Sequence, residues 1–500
     1  GLQFHAGTQP ATANWQPRLQ RVEAAHAKLA GLGLSAFGRG FGSAAYGVSQ
    51  LLYCCELAGF PLPTAVRHLD SITAKLVDRG LAPDDARHAF TGVRAALLAG
   101  HPRSGGFGAL PWKQHIHARH AAWAVRLALA DPQRPWAAVA TAALQQVHPQ
   151  LSPLHLLSWR PTDGAEQRLP PPLWRMWDGL QTLPTLQSVA PLQPHAWCCA
   201  VPLWGNPLLR LSDGHPLETR FGDLAASRLR SIPAILAAHH QLQHIQPQHY
   251  TAALRVQLFG WTASDAFLDL QRTRDQLAAL LAALPAGWAD AAWAHLGTSS
   301  NTEADALAVL RGSLGWQLAD TPITLPRFKV RHGTQLQLQQ SGLQQERLQR
   351  FAAFEALAAP GTPAAADGNE VARLLPRLWQ LPWENQHKEL YWRLVLNALP
   401  LASRMQGSAP QPCACGCPAP FPDRRHHFWD CPVATAVLST LAAQLGGQQP
   451  SRQQLWLMRP PPGVHAGVWH AVCLAALAAM DGGRRQLAAR LLQARRAAER

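Results

Sequence analysis

The feature that most constrains the fold of this chain is a group of cysteines and histidines near residue 420. Cys413, Cys415 and Cys417 are followed by a Pro-rich turn and then by Arg425-His426-His427-Phe428-Trp429-Asp430-Cys431. Four of the nine cysteines therefore fall within nineteen residues. Thiolate sulfur and imidazole nitrogen at such close spacing suit a tetrahedral Zn²⁺ ion. The pattern predicts a compact zinc knuckle around which this part of the chain folds.

The spacing narrows the ligand set without fixing it. Gly416 follows Cys415, and a small residue at that position lets backbone N–H groups turn toward the thiolates. This favours Cys413 and Cys415 as the first pair of ligands, with Cys417 as the substitute. On the far side, His426 and Cys431 form an i, i+5 pair, and His427 is the alternative to His426. The other interpretation is a set of reduced, buried thiols beside surface histidines.

Charge is the second constraint. The 500 residues carry a formal net charge of +15 with a pI near 10.1, and a basic excess of this size predicts attraction to polyanions. We favour RNA and DNA over an anionic membrane surface, because no basic amphipathic segment is flanked by Trp or Phe in the manner of interfacial helices. The longest apolar runs, such as 471–480, are too short to span a membrane, so no membrane partner is expected.

Cysteine usage and composition bear on compartment and size. Cys54-Cys55 and Cys198-Cys199 are adjacent pairs that make poor disulfides, and Cys473 stands alone, so all nine cysteines fit a reducing compartment, the nucleus or the cytoplasm. With 47% hydrophobic and 15% charged residues, the chain is long enough for two to four folded domains. Since the first residue is Gly, we expect a fragment of a longer reading frame.

Hydrophobic periodicity predicts a mainly α fold. Apolar residues recur at three- and four-residue steps in several stretches, and a short hairpin is predicted over 325–338. Residues 151–194 are rich in Pro and lack clean periodicity, which favours a loop-rich connector, and 360–369 has the composition of a linker. The predicted helices are 15–34, 64–79, 339–358, 385–399, 432–445, 464–480 and a last, separate basic helix.

The residues around the cysteines resemble a known family. Trp392-Arg393-Leu394-Val395-Leu396-Asn397-Ala398-Leu399-Pro400, the cysteine knuckle and 426–434 are similar to the zinc-binding segment near the C-terminus of non-LTR (LINE-type) retrotransposon reverse transcriptases. The family pattern is roughly W-R-L-L-x-N-A-L-P-T, then C-x-x-C-G, then H-x-F-x-x-C-P. This chain departs from it in the knuckle, which is one residue shorter between Cys413 and Cys415 and carries the additional Cys417.

The N-terminal part resembles the same family, where a thumb follows the polymerase palm. The matches are Trp15, the Leu34-Ser35-x-x-Gly38-Arg39 segment, Tyr53, the Gly-rich turn over 104–110, and the P-L-W-x-N turn within 200–209. The resemblance implies a thumb-like helical region over 1–150, a loop-rich and helical connector over 151–359, and a zinc-binding helical module over 370–500. By itself, the Gly-rich turn is either a phosphate cradle or a tight turn between packed helices.

Catalytic residues are not expected in this chain. A reverse transcriptase binds two Mg²⁺ ions through palm carboxylates in a Tyr/Phe-x-Asp-Asp turn, and no such turn occurs here. Asp84-Asp85 follows a Pro at what looks like a helix start, where acidic residues are favoured. The resemblance therefore implies that Mg²⁺ belongs to a palm and fingers encoded upstream, and it leaves open whether this chain is part of an enzyme. His115, His117 and His120 either bind a metal or lie on a surface helix.

Arginines supply the candidate nucleic-acid contacts, since only five of the 45 basic residues are lysine. The sequence therefore favours a non-catalytic, nucleic-acid-binding region with a structural zinc site, holding template, primer or target nucleic acid. The alternative is a stand-alone or degenerate zinc-containing interaction protein with no polymerase partner. The candidate contacts are Arg39, Arg119 and Arg126 in the N-terminal region, and Arg484, Arg485, Arg495 and Arg496 in the last helix.

Overall fold

The fold was analysed in a computed structural model. The structure describes residues 12–85, 92–131, 133–147, 151, 153–160, 164–189, 203–206, 209–296, 314–360, 367–401, 413, 415–417 and 422–498. Within these ranges the chain is mainly helical, as the periodicity predicts, and it contains a single small sheet. The chain divides into two compact units, one formed by 1–112 together with 341–500 and the other by 113–340.

The first unit contains helices from both ends of the chain. Two π-helical segments, Ser43–Val48 and His426–Asp430, and a 3₁₀ turn at Pro102–Ser104 accompany them. The α-helices are α1 (Thr12–Ala30), α2 (Ala36–Gly42), α3 (Ser49–Ala58), α4 (Pro63–Arg79), α5 (Ala95–Leu98), and, after the second unit, α16 (Leu343–Ala358), α17 (Asn369–Gln380), α18 (Asn385–Val395), α19 (Pro432–Gln444), α20 (Arg452–Trp456) and α21 (Ala466–Ala498).

The second unit contains the remaining helices and the sheet. Its helices are α6 (Trp112–Leu129, beginning at the boundary), α7 (Pro135–Val147), α8 (Pro153–Ser158), α9 (Pro171–Gln181), α10 (Gly222–Ala226), α11 (Ile232–Gln243), α12 (Ala252–Phe259), α13 (Leu270–Ala283), α14 (Trp288–Leu296) and α15 (Val330–Gln340). Short 3₁₀ turns lie at Ala165–Arg168, Leu217–Thr219, Pro247–His249, Trp261–Phe267 and Leu325–Arg327. The strands are β1 (Gln187–Ser188), β2 (Leu314–Leu318) and β3 (Thr321–Thr324), antiparallel in the order β1-β2-β3.

Local sequence signals explain several helix ends. Pro63 occupies the first turn of α4, where its missing N–H costs nothing, and Gly80 ends that helix at φ 69°. Ser35 caps α2 by accepting a hydrogen bond from Gly38 N, and Ser451 forms a capping box at the start of α20. These serines accept hydrogen bonds from backbone N–H groups of the first helical turn, which have no partner within the helix.

Aromatic packing and a buried ion-pair network join the N-terminal helices of the first unit to α18. The ring of Phe37 stacks on Phe107 at 5.4 Å and meets the edge of Trp392 at 5.5 Å. Arg393 of α18 donates to Asp78 of α4 at 2.6 Å and to Glu389 at 2.8 Å, and all three side chains are largely buried. The residues that precede the cysteine knuckle are therefore anchored in a core built largely from the first hundred residues.

The observed units divide the chain at places other than the predicted regions. The boundaries fall at 112/113 and 340/341 rather than near 150 and 360. The predicted linker at 360–369 joins two helices that pack together, because the Glu355 carboxylate of α16 accepts hydrogen bonds from Gly368 N and Val371 N at the start of α17. Residues 361–366 of the predicted linker lie outside the described part of the chain, and the helices before and after them belong to one unit.

Two predictions of local structure are wrong. The hairpin lies at Leu314–Thr324, not at 325–338, where a 3₁₀ turn and α15 occur instead. Leu336 and Gln337 are both buried, which fits a helix enclosed by the unit and not an alternating strand. The Pro-rich stretch 151–194 contains α8 and α9, each of which begins at a proline, so prolines that indicated loops are helix starts.

The last helix is longer than predicted. α21 runs without a break through Gly482 and Gly483, where a separation into two helices was expected. Its segment Ala466–Ala494 is, by length and composition alone, long and apolar enough to cross a membrane. Its first half is built into the first unit, because Trp469, Cys473 and Leu477 are buried there as in a core helix. The expectation that this chain has no membrane partner stays a prediction.

Candidate metal centre

The cysteine knuckle is held between α18 and α19. Arg424 donates to the carbonyl groups of Leu394 and Val395 at 3.0 and 3.1 Å, which caps the end of α18 and fixes the start of the π-helical turn. That turn ends at Cys431, whose N–H bonds to His426 O at 2.8 Å and which is the N-cap of α19. A thiolate at the N-terminus of a helix is favoured by the helix dipole.

Four cysteine sulfurs converge at this point. The Sγ atoms of Cys413, Cys415, Cys417 and Cys431 all lie within 4.8 Å of one another. Cys413 Sγ is 3.3 Å from Cys415 Sγ and 3.8 Å from Cys431 Sγ, and Cys415 Sγ is 3.0 Å from Cys431 Sγ. These distances exceed a disulfide bond of about 2.05 Å, and a tetrahedral ion with Zn–S bonds of about 2.3 Å holds its sulfurs roughly 3.8 Å apart. The four thiols can therefore bind a metal ion.

His426 adds a fifth donor at the edge of the sulfur group. Its Nε2 atom lies 3.3 Å from Cys417 Sγ, and its ring also reaches Cys413 by a hydrogen bond. The side chain of Asp423 holds the turn in place, because its carboxylate accepts a hydrogen bond from His426 N at 2.8 Å. Three of the four predicted ligands, Cys413, Cys415 and Cys431, are thus in the cluster. Its fourth member is Cys417, the predicted alternate, and the predicted His426 lies beside it.

The other alternate, His427, is placed differently. Its side chain is buried, and neither ring nitrogen has a hydrogen-bond partner within the described part of the chain. Burial, with smaller effects from Arg484 and His426, lowers the pKa of His427 to about 4. The ring lies near Arg484 of α21 and does not belong to the cluster of four cysteines.

The electrostatics of the sulfur group are those of crowded thiols. Burial acts to raise the pKa of Cys413, but hydrogen bonds from Cys415 N–H and from the side chains of His426, Cys415 and Cys417 outweigh it and lower this pKa to about 6. Burial and the neighbouring thiols raise the pKa of Cys415, and they raise that of Cys417 to about 11. The cluster therefore accommodates one thiolate readily, whereas further thiolates need a cation to compensate their negative charge.

The site is supported by a layer of aromatic side chains. Trp456 Nε1 donates to Phe428 O at 3.3 Å, and Tyr391 donates its hydroxyl hydrogen to Trp456 O at 2.9 Å. Trp456 also stacks on Phe354 at 5.3 Å between ring centroids. These four side chains are fully buried, so the turn that carries His426 and Cys431 rests on a rigid part of the core.

The predicted nucleic-acid contacts differ widely in exposure. Arg39 donates to the carbonyl oxygens of Leu76 and Val77 at the end of α4 and to Leu34 O, so its guanidinium is used inside the protein. Arg119 is half-buried and already interacts with neighbouring groups. Arg126 is exposed, with its guanidinium carbon 4.9 Å from the centre of the Trp123 ring.

The arginines of α21 fall into two groups. Arg484 and Arg485 both pair with the buried carboxylate of Asp481, Arg484 at 3.1 Å. Arg496 is exposed, and the side chain of Arg495 lies outside the described part of the structure. Sequence reasoning missed Asp481, although its spacing of three and four residues from the two arginines is the signal of a helical ion pair.

The remaining candidate sites are structural. In the Gly-rich turn, Gly106 N, Phe107 N and Gly108 N donate to backbone carbonyl groups, so the turn is a tight structural turn and has no free N–H groups for a phosphate. α6 is a core helix and not a surface helix, since His120 is buried and His117 Nδ1 lies 3.5 Å from Asp178 Oδ2. Asp84 lies in a turn, and residues 86–91 after it are outside the described ranges.

No protein-family model matches this chain, and no curated protein matches it.

Proposed function

We propose that this chain is a nucleic-acid-binding protein region whose C-terminal part is stabilised by a structural zinc ion, of the kind that the resemblance to non-LTR reverse transcriptases implies. The observation that carries the proposal is the convergence of Cys413, Cys415, Cys417 and Cys431 on one point beside His426. No catalytic role is assigned to any residue of this chain.

Zinc fits the donor set better than other common ions. Three or four thiolates with one imidazole nitrogen are soft and borderline ligands, which suit Zn²⁺, whereas Mg²⁺ and Ca²⁺ prefer oxygen. Cys413, Cys415 and Cys431 would hold the ion together with Cys417 or His426. Because all four positions of the ion would be filled by protein, its role would be structural and would leave no open position for a substrate.

Nucleic-acid binding is supported by charge. The chain has a formal net charge of +15, and Arg126 and Arg496 are exposed cations on the two units. Basic side chains that contact phosphates release condensed counterions, so the logarithm of the affinity should fall linearly with the logarithm of the salt concentration. Arg39 and Arg484 are left out of this proposal, because their guanidinium groups are engaged within the protein. Arg485 is given a minor part, because its exposed side chain is already paired with Asp481.

The test combines metal analysis with binding. The purified chain should contain about one zinc per molecule, and it should bind RNA and DNA of unrelated sequence with an affinity that falls steeply with salt. Arg126→Gln and Arg496→Gln should each reduce the salt slope by about one if the residue contacts a phosphate. A matched control is Arg94→Gln, which removes an exposed arginine whose charge is already paired with Glu346 at 3.1 Å.

A zinc-containing interaction protein without nucleic-acid affinity is the second candidate. It is favoured because Arg39 and Arg484, two of the seven arginines first considered, are engaged inside the protein, and the exposed Arg485 is paired with Asp481. Stoichiometric zinc together with an affinity for nucleic acid that is undetectable at low salt would establish this second function. Absence of zinc from freshly purified protein would contradict both.

A further inference from the structure

Two exposed tyrosines lie on the outer side of the π-helical segment Ser43–Val48 and α3. Tyr46 has 70% of its surface exposed and Tyr53 has 63%, and they are two of only four tyrosines in the chain. They are seven positions apart on a continuous stretch of π- and α-helix, with exposed Gln50 between them. Neighbouring exposed rings of this size are typical of binding surfaces.

The inner side of the same segment holds Tyr46 in this outward position. A Cβ atom on Gly47 would lie 2.6 Å from His26 Nε2, so only glycine permits the close approach of the π-helical segment to α1. His26 Nε2 and Ser43 Oγ are hydrogen-bonded at 2.9 Å, which fixes the same contact from the other end. π-Helical turns are rare and frequently occur at functional sites.

A row of basic residues runs along the neighbouring edge of α1. Arg18, Arg21 and Lys28 are spaced three and seven residues apart, so they share one side of the helix and span about 15 Å. This edge adjoins α3, because Cys54 Sγ lies 3.8 Å from Asn14 O, whereas Glu23 on another side of α1 bonds to His68 of α4. Arg21 and Lys28 are exposed.

The charge of this surface is complementary to a polyanion. Glu56 is the only acidic residue of α3, and it is half-buried and already has an interaction partner. The exposed rings of Tyr46 and Tyr53 therefore belong to a segment that packs on α1, the helix that carries these cations, and α3 has no exposed carboxylate. Aromatic planes beside a basic row are the features by which proteins bind unpaired nucleic-acid strands, since bases stack on the rings and phosphates follow the cations.

We propose that this surface, which we call the tyrosine face and define by Tyr46, Tyr53, Arg21 and Lys28, binds single-stranded nucleic acid by stacking bases on the two rings. The proposal rests on the proposed function, since it names the site and the form of the nucleic acid. A duplex keeps its bases stacked on each other, so it would gain from Arg21 and Lys28 but not from the tyrosines.

The test measures the binding of a short oligothymidylate and of a duplex of equal length. The double variant Tyr46→Ala/Tyr53→Ala should bind the single strand about tenfold or more weakly and the duplex as before. Tyr46→Phe/Tyr53→Phe keeps the rings and should bind both normally. Arg21→Gln/Lys28→Gln should weaken both ligands and reduce the salt slope by about two.

A matched control and three contrary outcomes complete the design. Trp261→Ala removes a ring that is 78% exposed in the second unit and should change neither affinity. If the parent chain binds the single strand and the double tyrosine variant binds it equally well, the tyrosine face is not the site and the proposed function stands. If the parent binds no nucleic acid, the proposed function fails first. If the double variant changes only the molecular mass in sedimentation, the face is a contact between copies and the proposal is overturned.

Discussion

At the scale of single residues, the cysteines of this chain are of two kinds. Cys54, Cys55 and Cys473 are buried and not disulfide-bonded, and burial raises the pKa of each thiol, which is the state of an inert core residue. Cys413, Cys415, Cys417 and Cys431 face one another and compete for protons. The difference lies in their neighbours, because an isolated thiol only loses its solvation on burial, whereas a group of thiols is able to share one cation.

The presence of five donors for a four-coordinate ion predicts redundancy at one position. Cys431→Ser should abolish stoichiometric zinc binding, while Cys417→Ser and His426→Asn should each retain about one zinc, since the other residue can complete the tetrahedron. The double variant should lose the metal. Zinc per chain after dialysis against a chelator is the measurement, and Cys473→Ala is the control. Loss of zinc in only one of the two single variants would identify that residue as the fixed ligand.

His26 predicts a pH dependence of stability. Burial lowers the pKa of His26 to about 4, despite the raising effect of Glu23. As the pH falls, His26 is therefore protonated near pH 6.5 in the unfolded chain but only near pH 4 in the folded chain. The free energy of unfolding should therefore fall as the pH falls through this window, by about 2 kcal/mol between pH 7 and pH 5 from this residue.

The measurement for His26 is denaturant unfolding at pH 7 and pH 5. His26→Gln keeps a polar partner for Ser43 but does not titrate, so it should show a smaller difference between the two pH values than the parent. His387→Gln, which replaces a half-buried histidine that accepts a hydrogen bond from Trp383 Nε1 at 3.1 Å and lies 3.5 Å from Glu384, should retain the parent's difference. An undiminished pH effect in His26→Gln would contradict the assignment.

At the scale of elements, close backbone contacts decide where a helix tolerates a side chain. Gly40 in α2 lies against the Gly-rich turn, where an added Cβ would lie 2.1 Å from Phe107 O. Gly482 in α21 has no atom within 4 Å of the same position, although it stands in the middle of a continuous helix. The two glycines look alike in sequence and differ in what packs against them.

This difference predicts opposite effects of one substitution. Gly482→Ala should raise the free energy of unfolding by up to about 1 kcal/mol, because it removes the entropic cost of glycine from a helix without a clash. Gly40→Ala should lower it by about 2 kcal/mol or more, since backbone must move to admit the methyl group. Urea titration of both variants is the measurement, and a stabilised Gly40→Ala would refute the packing of α2 on the turn.

At the scale of the whole molecule, the two units have separate interiors. The second unit contains two hydrophobic clusters, one around Trp316 and Phe328 and one around Phe259 and Phe267. The first unit contains the cysteine group and the helices from both ends of the chain. A perturbation of the metal site should therefore be felt first within the first unit.

Metal removal tests this separation. With a strong chelator, hydrogen exchange should accelerate over 422–445, because the turn and the start of α19 lose the ion that joins them to the knuckle. Exchange in 270–283 of the second unit should be unchanged, which serves as the internal control. Uniform loss of protection across both units would show that the fold depends on zinc as a whole.

The sequence alone determined the helical class and the position of the thiol cluster that can bind a metal ion. Helical periodicity depends on local spacing, so it predicted the helix over 15–34, which occurs as α1 with Trp15, Val22 and Leu29 buried. The thiol cluster is also local, because its donors lie within nineteen residues and a short turn suffices to bring them together. Local patterns of this kind can be recognised in the sequence without knowledge of contacts between distant parts of the chain.

Only the tertiary structure decided which residues are free to act and which parts of the chain belong together. Arg39 and Arg126 were both predicted as nucleic-acid contacts from the sequence. In the structure, the guanidinium of Arg39 donates to three carbonyl groups, whereas Arg126 is exposed. The grouping of 1–112 with 341–500 depends on pairs such as Asp78 and Arg393, which are 315 residues apart. Such contacts leave no local periodicity, because each partner is selected by the space and charge that a distant segment provides.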